Sequence, residues 1–183
     1  MVTVNSETAC TAFQGQCLLA QGRLHDVAMA VHAAGAALPI LVFDDASGAV
    51  IDLDLRGSAE DVAARLPQPP PRGRGRPKLG VIPREVTLLP QHWDWLARQP
   101  GGASAALRRM IDQARRADAG RTEARAAREA AWRFLHAMAG DLPGFEEACR
   151  ALFAGDRDAF RARTAAWPAD VRAHGETMAW PAA

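Results

Sequence analysis

The spacing of apolar residues predicts a small α+β domain over residues 1–66. Alternation of apolar and polar residues is typical of half-buried strands, and apolar residues at intervals of three and four are typical of helices. The predicted elements are a strand over 11–19, a helix over 24–34 that ends at Gly35, strands over 40–43 and 50–55, and a helix that begins at Ser58 and ends at Leu66. Ser58 and Asp61 have the spacing of a capping box. The predicted order is therefore β-α-β-β-α.

The same reasoning predicts a helical domain over residues 117–183. Gly120 interrupts the helical pattern, and the predicted helices lie over 121–139, 145–153 and 160–165, with a last one that starts at Trp167. We expect the aromatic residues of these helices to form a core. A ligand cavity is the alternative, and it would be lined by Trp132, His136, Phe145 and Trp167.

Charge is strongly segregated along a chain whose net charge is only +1. Residues 72–116 contain ten basic and three acidic residues, whereas residues 1–71 carry a net charge of −5 and residues 117–183 a net charge of −1. A concentrated basic segment is typical of proteins that bind nucleic acids, because phosphates attract Lys and Arg. A solvated basic linker in an arginine-rich sequence is the alternative.

Residues 74–78, Arg-Gly-Arg-Pro-Lys, resemble an AT-hook. Gly75 has no side chain, so its backbone can approach the floor of a narrow groove, and Pro77 keeps the chain extended. The arginines would then lie along a minor groove of A·T pairs, where the negative potential is strongest. The string lies within a proline-rich linker, residues 67–83. The predicted contacts are Arg72, Arg74, Gly75, Arg76, Pro77 and Lys78.

Residues 84–116 resemble a ribbon-helix-helix unit. The β-branched and apolar residues at 85–89 predict a short strand, followed by a short helix over 91–99 and a second helix over 105–116. The resemblance implies that two chains pair their strands and place the two-stranded ribbon in the major groove. Only Thr87 and Arg84 are suited to read bases from such a ribbon. The predicted phosphate contacts are Arg84, Arg108, Arg109 and the start of the second helix, with Ser104 as its N-cap. A helical hairpin that packs on the rest of the protein is the alternative.

Most of the sequence also resembles an uncharacterised bacterial family, domain of unknown function 2239. The strings that carry the resemblance are ILVFDDASGAVIDLDLRG, GRPKLGVIPREVTLLPQHWDWLARQPGGASAALRRMIDQARR and FLHAMAGDLPGFEEACRALFAGDRDAF. The resemblance implies a bacterial, intracellular protein and supplies no activity.

Several classes of protein are disfavoured. No apolar run approaches the ~18 residues that a membrane span needs, and the amino terminus lacks the features of a signal peptide. No nucleotide-binding, hydrolase or zinc-protease motif occurs. We expect the residues that could in principle bind a metal to have structural or solvent-exposed roles instead. These residues are Cys10, Cys17, Cys149, Asp44, Asp45, Asp52 and Asp54. We therefore expect a cytoplasmic, nucleoid-associated protein without a cofactor, a metal or catalytic residues.

Together these features predict a homodimeric DNA-binding protein, regulatory or nucleoid-architectural, whose partner is AT-rich double-stranded DNA. Its parts would be the α+β domain, the hook-bearing linker, the ribbon-helix-helix-like unit and the helical domain. Two alternatives have different partners. One is an adaptor module whose basic segment binds an acidic protein, and the other is a small-molecule sensor that uses the carboxy-terminal helices.

Overall fold

The computed structural model describes residues 4–35, 38–68 and 84–181, and the AT-hook-like string lies outside these residues. The chain divides into two compact units. The first unit combines residues 1–70 with residues 123–183, and the second contains residues 71–122. This grouping differs from the predicted division, because the α+β domain and most of the helical domain share one unit.

Four strands and eight helices are present in the described residues. The strands are β1 (Ala9–Gln14), β2 (Cys17–Arg23), β3 (Ile40–Asp44) and β4 (Val50–Ile51). The helices are α1 (Leu24–Ala34), α2 (Ala59–Arg65), α3 (Pro90–Ala97), α4 (Gly102–Asp118), α5 (Arg121–Ala139), α6 (Phe145–Ala154), α7 (Arg157–Arg163) and α8 (Ala169–Ala179). The predicted α+β class is confirmed.

The strands form one antiparallel sheet in the order β2-β1-β3-β4. The single strand predicted over 11–19 is wrong, because the chain reverses at Gly15, whose left-handed backbone (φ 58°) permits the turn between β1 and β2. The strand predicted over 50–55 is shorter, and only Val50 and Ile51 pair with β3. The capping box of α2 is confirmed, since the Ser58 and Asp61 side chains each accept a backbone N–H of the other residue.

Both faces of the sheet are covered, which explains the composition of the first unit. Successive residues of a strand point to opposite faces. Cys10 and Ala12 therefore join a cluster with residues of α1 and α2, whereas Phe13 and Phe43 join a cluster with Phe134 of α5. A sheet that is apolar on both faces needs a layer of helices on each, and the carboxy-terminal helices provide the second layer.

The helix predicted over 121–139 is confirmed as α5, and the break before it includes Gly120 in a left-handed conformation (φ 75°). The aromatic residues of the following helices pack on one another. Trp167 is buried, stacks on Phe145 with ring centroids 6.3 Å apart, and donates its Nε1–H to the Pro143 carbonyl oxygen at 3.0 Å. Trp132 is partly exposed and stacks on His136 with ring centroids 5.3 Å apart.

The second unit contains α3 and α4, which contact each other. The strand predicted over 85–89 is not formed in the single chain. Residues 84–89 are irregular in the single chain, where a strand without a neighbour would leave its backbone groups unpaired. The N-cap predicted at Ser104 is also wrong, because α4 begins at Gly102 with Gly101 as the capping residue (φ 81°). Ser104 consequently lies inside the first turn of α4.

Candidate functional site

The predicted DNA-contacting residues fall into three groups. The contacts assigned to the AT-hook-like string lie outside the described residues: Arg72, Arg74, Gly75, Arg76, Pro77 and Lys78. Arg84 and Thr87 are exposed in the irregular segment before α3. Ser104, Arg108 and Arg109 are exposed on α4. The structure thus brings three of the predicted residues together on one helix.

An arginine-rich surface extends along α4. It consists of Arg108, Arg109, Arg115 and Arg116, all exposed. Residues seven positions apart lie on nearly the same face of a helix, so Arg108 aligns with Arg115 and Arg109 with Arg116. Asp112 lies between the two pairs in sequence and leaves a net charge of +3 on this surface.

None of these four arginines forms an ion pair with a carboxylate among the described residues. Arg109 donates to the Pro100 carbonyl oxygen at 3.2 Å, which orders the side chain without neutralising its charge. Many arginines of the first unit do have acidic partners: Arg23, Arg56, Arg65, Arg125, Arg150, Arg157 and Arg161. The positive charge of α4 is therefore free to act on a ligand.

The second unit also exposes large apolar side chains. Only Leu96 and Ala106 are buried among the residues of α3 and α4. The exposed apolar residues are Val86, Leu89, Trp93, Trp95, Met110 and Ile111. Exposed tryptophan and methionine side chains are enriched in surfaces that another macromolecule covers.

A polar cluster that the sequence does not predict lies in the first unit. The Thr11 hydroxyl, on β1, donates to Asp45 Oδ1 at 2.7 Å, and Asp45 follows β3 directly. His174 of α8 has its Nε2 atom 3.7 Å from the same oxygen. The ring of His174 packs against Phe134 with centroids 4.7 Å apart. Burial among these groups lowers the pKa of His174, and the Asp45 charge only partly offsets this effect.

Asp45 and His174 border a cavity of about 410 Å³. Its other polar lining residues include Gln21, Glu123 and Thr177, and its apolar wall comes mainly from α5. No local sequence pattern could have found this cluster, because β1, the turn after β3 and α8 come together only in the folded chain. The available signals were a lone histidine and an aspartate in a hairpin turn.

A second cavity has a volume of about 790 Å³ and lies beside β4 and α2. Three of the charged groups at its rim already have partners. Arg133 donates to the Ser47 carbonyl oxygen at 2.8 Å, and Arg65 forms an ion pair with Asp54. The hydrogen bonds and charge of Arg56 hold the pKa of Asp54 well below its usual range.

These features define a class of protein before any family is considered. It is an α+β protein with a helix-covered antiparallel sheet and a separate pair of helices that carries a basic surface. The chain belongs to the family described as "Uncharacterized protein conserved in bacteria (DUF2239)", whose model matches residues 9–179. The predicted family membership is thereby confirmed. No curated protein and no solved structure is significantly similar to this chain.

Two further findings concern the described part of the chain. None of its helices combines the length and apolar character that a membrane-spanning segment needs. No three His, Cys, Asp or Glu side chains within the described residues are grouped so that they could hold a metal ion.

Proposed function

We propose that this protein binds double-stranded DNA through the arginine-rich surface of α4. The observation that carries the proposal is that Arg108, Arg109, Arg115 and Arg116 are exposed and have no carboxylate partner among the described residues. Phosphates are the partners that such arginines bind most strongly, because the planar guanidinium presents several N–H donors to them. Contacts of this kind position a protein on a duplex without reading its sequence.

The AT-hook-like string gives the proposed function its preference for A·T pairs. This part of the proposal rests on the sequence of residues 72–78 alone. A hook would read the width and potential of the minor groove, while α4 would contact the phosphates. A regulatory or nucleoid-architectural role on the bacterial chromosome follows from such limited sequence readout.

We further propose that the protein acts as a homodimer through the exposed apolar residues of the second unit. Trp93 and Trp95 of α3 and Met110 and Ile111 of α4 would be covered by a second copy. Aromatic residues and methionine are enriched in such interfaces. This arrangement does not require the paired ribbon, because residues 84–89 are irregular in the single chain. Two copies would place two arginine-rich helices on one duplex.

The proposal is tested by matched pairs of substitutions. Arg115→Gln with Arg116→Gln removes two unpaired charges and keeps good helix formers at both positions. Arg125→Gln with Arg150→Gln removes the same charge from arginines that are paired with glutamates in the first unit. Fluorescence anisotropy with a labelled duplex should show a loss of affinity on the order of tenfold for the first variant only. Equal losses of affinity in the two variants would show that binding depends only on the net charge of the protein. Absence of DNA binding by the wild type would refute the proposal.

A further inference from the structure

The helical path of the chain is interrupted between α4 and α5 at a residue that disfavours the interruption. Ala119 has a left-handed backbone (φ 50°, ψ 38°), and it is the only non-glycine residue with a positive φ among the residues that the structure describes. Alanine is the best helix former, and the left-handed conformation disfavours it about fivefold to thirtyfold in an equilibrium constant. Gly120 follows with φ 75° and adopts this conformation without that cost. The backbone strain therefore lies at Ala119.

Side chains take the place of main-chain hydrogen bonds at this interruption, residues 117–122, which we name the α4–α5 break. Arg121 donates its Nη2–H to the Ala117 carbonyl oxygen at 3.2 Å and its Nε–H to the Asp118 carbonyl oxygen at 3.0 Å. The Asp118 side chain accepts the Thr122 backbone N–H at 2.8 Å. In an uninterrupted α-helix the same two carbonyl oxygens would accept the backbone N–H groups of Arg121 and Thr122. Each main-chain group that these side chains satisfy thus has a main-chain partner in a continuous helix.

We propose that the α4–α5 break is a two-state device, in which the broken form exchanges with one continuous helix over residues 102–139. The continuous form relieves the left-handed backbone at Ala119, keeps a partner for each main-chain group named above, and places Gly120 in a helix interior, which glycine disfavours. The flanking residues favour the continuous form, because both sequences are rich in alanine and arginine: QARRADA before Gly120 and RTEARAA after it. These opposing contributions bring the two forms close in free energy.

The device responds to phosphates, a step that rests on the proposed DNA binding. Arg115 and Arg116 lie in the last turn of α4, where their positive charges stabilise the carboxy-terminal end of the helix. Phosphates bound to these arginines would remove that stabilisation, which is about twofold to fivefold in the equilibrium constant for each arginine. The continuous helix has no end at this point and loses nothing. A bound duplex therefore favours the continuous form, and by linkage the continuous form binds the duplex more tightly.

The test is a distance measurement in the full chain by pulsed electron paramagnetic resonance. Spin labels are attached at Gln113→Cys and Ala126→Cys, two exposed positions, after the native cysteines are replaced by alanine. In a continuous helix the two backbones lie about 20 Å apart, at about 1.5 Å per residue. Gly120→Ala should raise the ratio of this continuous-helix population to the rest about fivefold to thirtyfold, because alanine disfavours the left-handed backbone. Ala119→Gly should lower the ratio by a similar factor, because glycine removes the strain of the broken form.

Gly35→Ala is the matched control. Gly35 is also left-handed (φ 69°), and no atom of the described residues lies within 4 Å of a Cβ built at Gly35 or at Gly120. It should leave the distance distribution unchanged, because Gly35 ends α1 and has no part in the α4–α5 break. Equal distributions in Gly120→Ala and Ala119→Gly, or a distribution without the continuous-helix population in Gly120→Ala, would overturn the proposal.

The response to phosphates is measured with the same labels. Arg115→Gln with Arg116→Gln, without DNA, should raise the continuous-helix ratio about fourfold to twentyfold, because it removes both charges from the end of α4. A duplex should raise the ratio in the wild type and have no further effect in this variant. An unchanged distribution in a wild-type chain that binds the duplex would refute the coupling. If the wild type binds no duplex, the proposed function fails, and the glycine variants still decide whether the break has two states.

Discussion

Replacement of Phe134 by alanine tests whether the sheet and the carboxy-terminal helices form one cooperative core. Phe134 is fully buried, and its ring centroid lies 5.2 Å from that of Phe13, 4.9 Å from that of Phe43 and 4.7 Å from that of His174. Truncation of a buried phenylalanine costs about 3–5 kcal/mol. We expect the upper half of this range, because the surrounding rings belong to β1, β3 and α8 and cannot easily collapse into the cavity.

The assay is urea unfolding of the full chain, followed by two probes. Trp132, Trp167 and Trp180 report on the carboxy-terminal helices by fluorescence, once the two tryptophans of α3 are replaced by phenylalanine. Cys10 reports on β1 by thiol labelling in a background without the other cysteines. The thiol is buried in the folded state, and its high pKa keeps it unreactive there. A shared core predicts that Phe134→Ala shifts both transitions to lower urea together.

Phe153→Ala is the matched control. Phe153 lies on α6 and is 49% exposed, so its truncation should change the free energy of unfolding by less than about 1 kcal/mol. A shared core would be refuted if Phe134→Ala lowered the free energy of unfolding no more than Phe153→Ala. It would also be refuted if Cys10 became reactive well before the tryptophan signal changed, since the sheet would then unfold separately from the helices.

Three further predictions concern the turn after β3, the buried histidine and the hook. Gly48→Ala should lower the free energy of unfolding by about 1–3 kcal/mol more than Gly35→Ala. Both residues have a positive φ, but only at Gly48 would an added Cβ overlap the Ala130 backbone. Equal losses of the two variants in chemical denaturation would contradict this prediction. Burial lowers the pKa of His174 from 6.5, so the unfolded state binds more protons than the folded state as the pH falls. The free energy of unfolding should therefore decrease below about pH 6.5. His174→Gln should flatten this part of the curve of stability against pH, and a curve identical to that of the wild type would contradict this prediction. Gly75→Val adds bulk without changing charge, so it should weaken binding to AT-rich duplexes more than to GC-rich ones in parallel titrations, and equal losses would exclude a hook.

Much of the fold could be predicted because the relevant signals are local. The apolar spacing of α5 and the capping box at Ser58 each lie within one element and need no distant partner. The apolar run over residues 40–43 also carried a signal that the predicted domain division did not use. A strand whose side chains are apolar on both faces of the sheet must be covered on both faces. The helices that cover the second face of this sheet come after the basic segment in the sequence.

The structure of the second unit differs from the predicted elements for two separate reasons. Residues 85–89 have the composition of a strand, yet a strand forms only when another strand satisfies its backbone groups, and composition does not supply that neighbour. Ser104 has the residue type of an N-cap, but Gly101 ends the preceding turn three residues earlier and fixes the start of α4. Local propensity was overridden by the geometry of the turn.

The two candidate sites differ in how far the sequence predicts them. The arginines of α4 could be placed on an exposed surface because charge and helical spacing are both local properties. Thr11, Asp45 and His174 come from three separate elements, and only the packing of α8 on the sheet brings them together. That packing depends on Phe13 and Phe134, which contact the ring of His174 and carry no chemical signature of a site.

The most direct test of the central proposal is the salt dependence of DNA binding. The affinity of the full chain for one duplex would be measured at several salt concentrations, for the wild type, Arg115→Gln with Arg116→Gln, and Arg125→Gln with Arg150→Gln. If α4 contacts phosphates, the plot of log affinity against log salt should become shallower by roughly two in the first variant, at about 0.9 per lost contact, and keep the wild-type slope in the second. An unchanged slope in the α4 variant, or no binding by the wild type at low salt, would contradict the account.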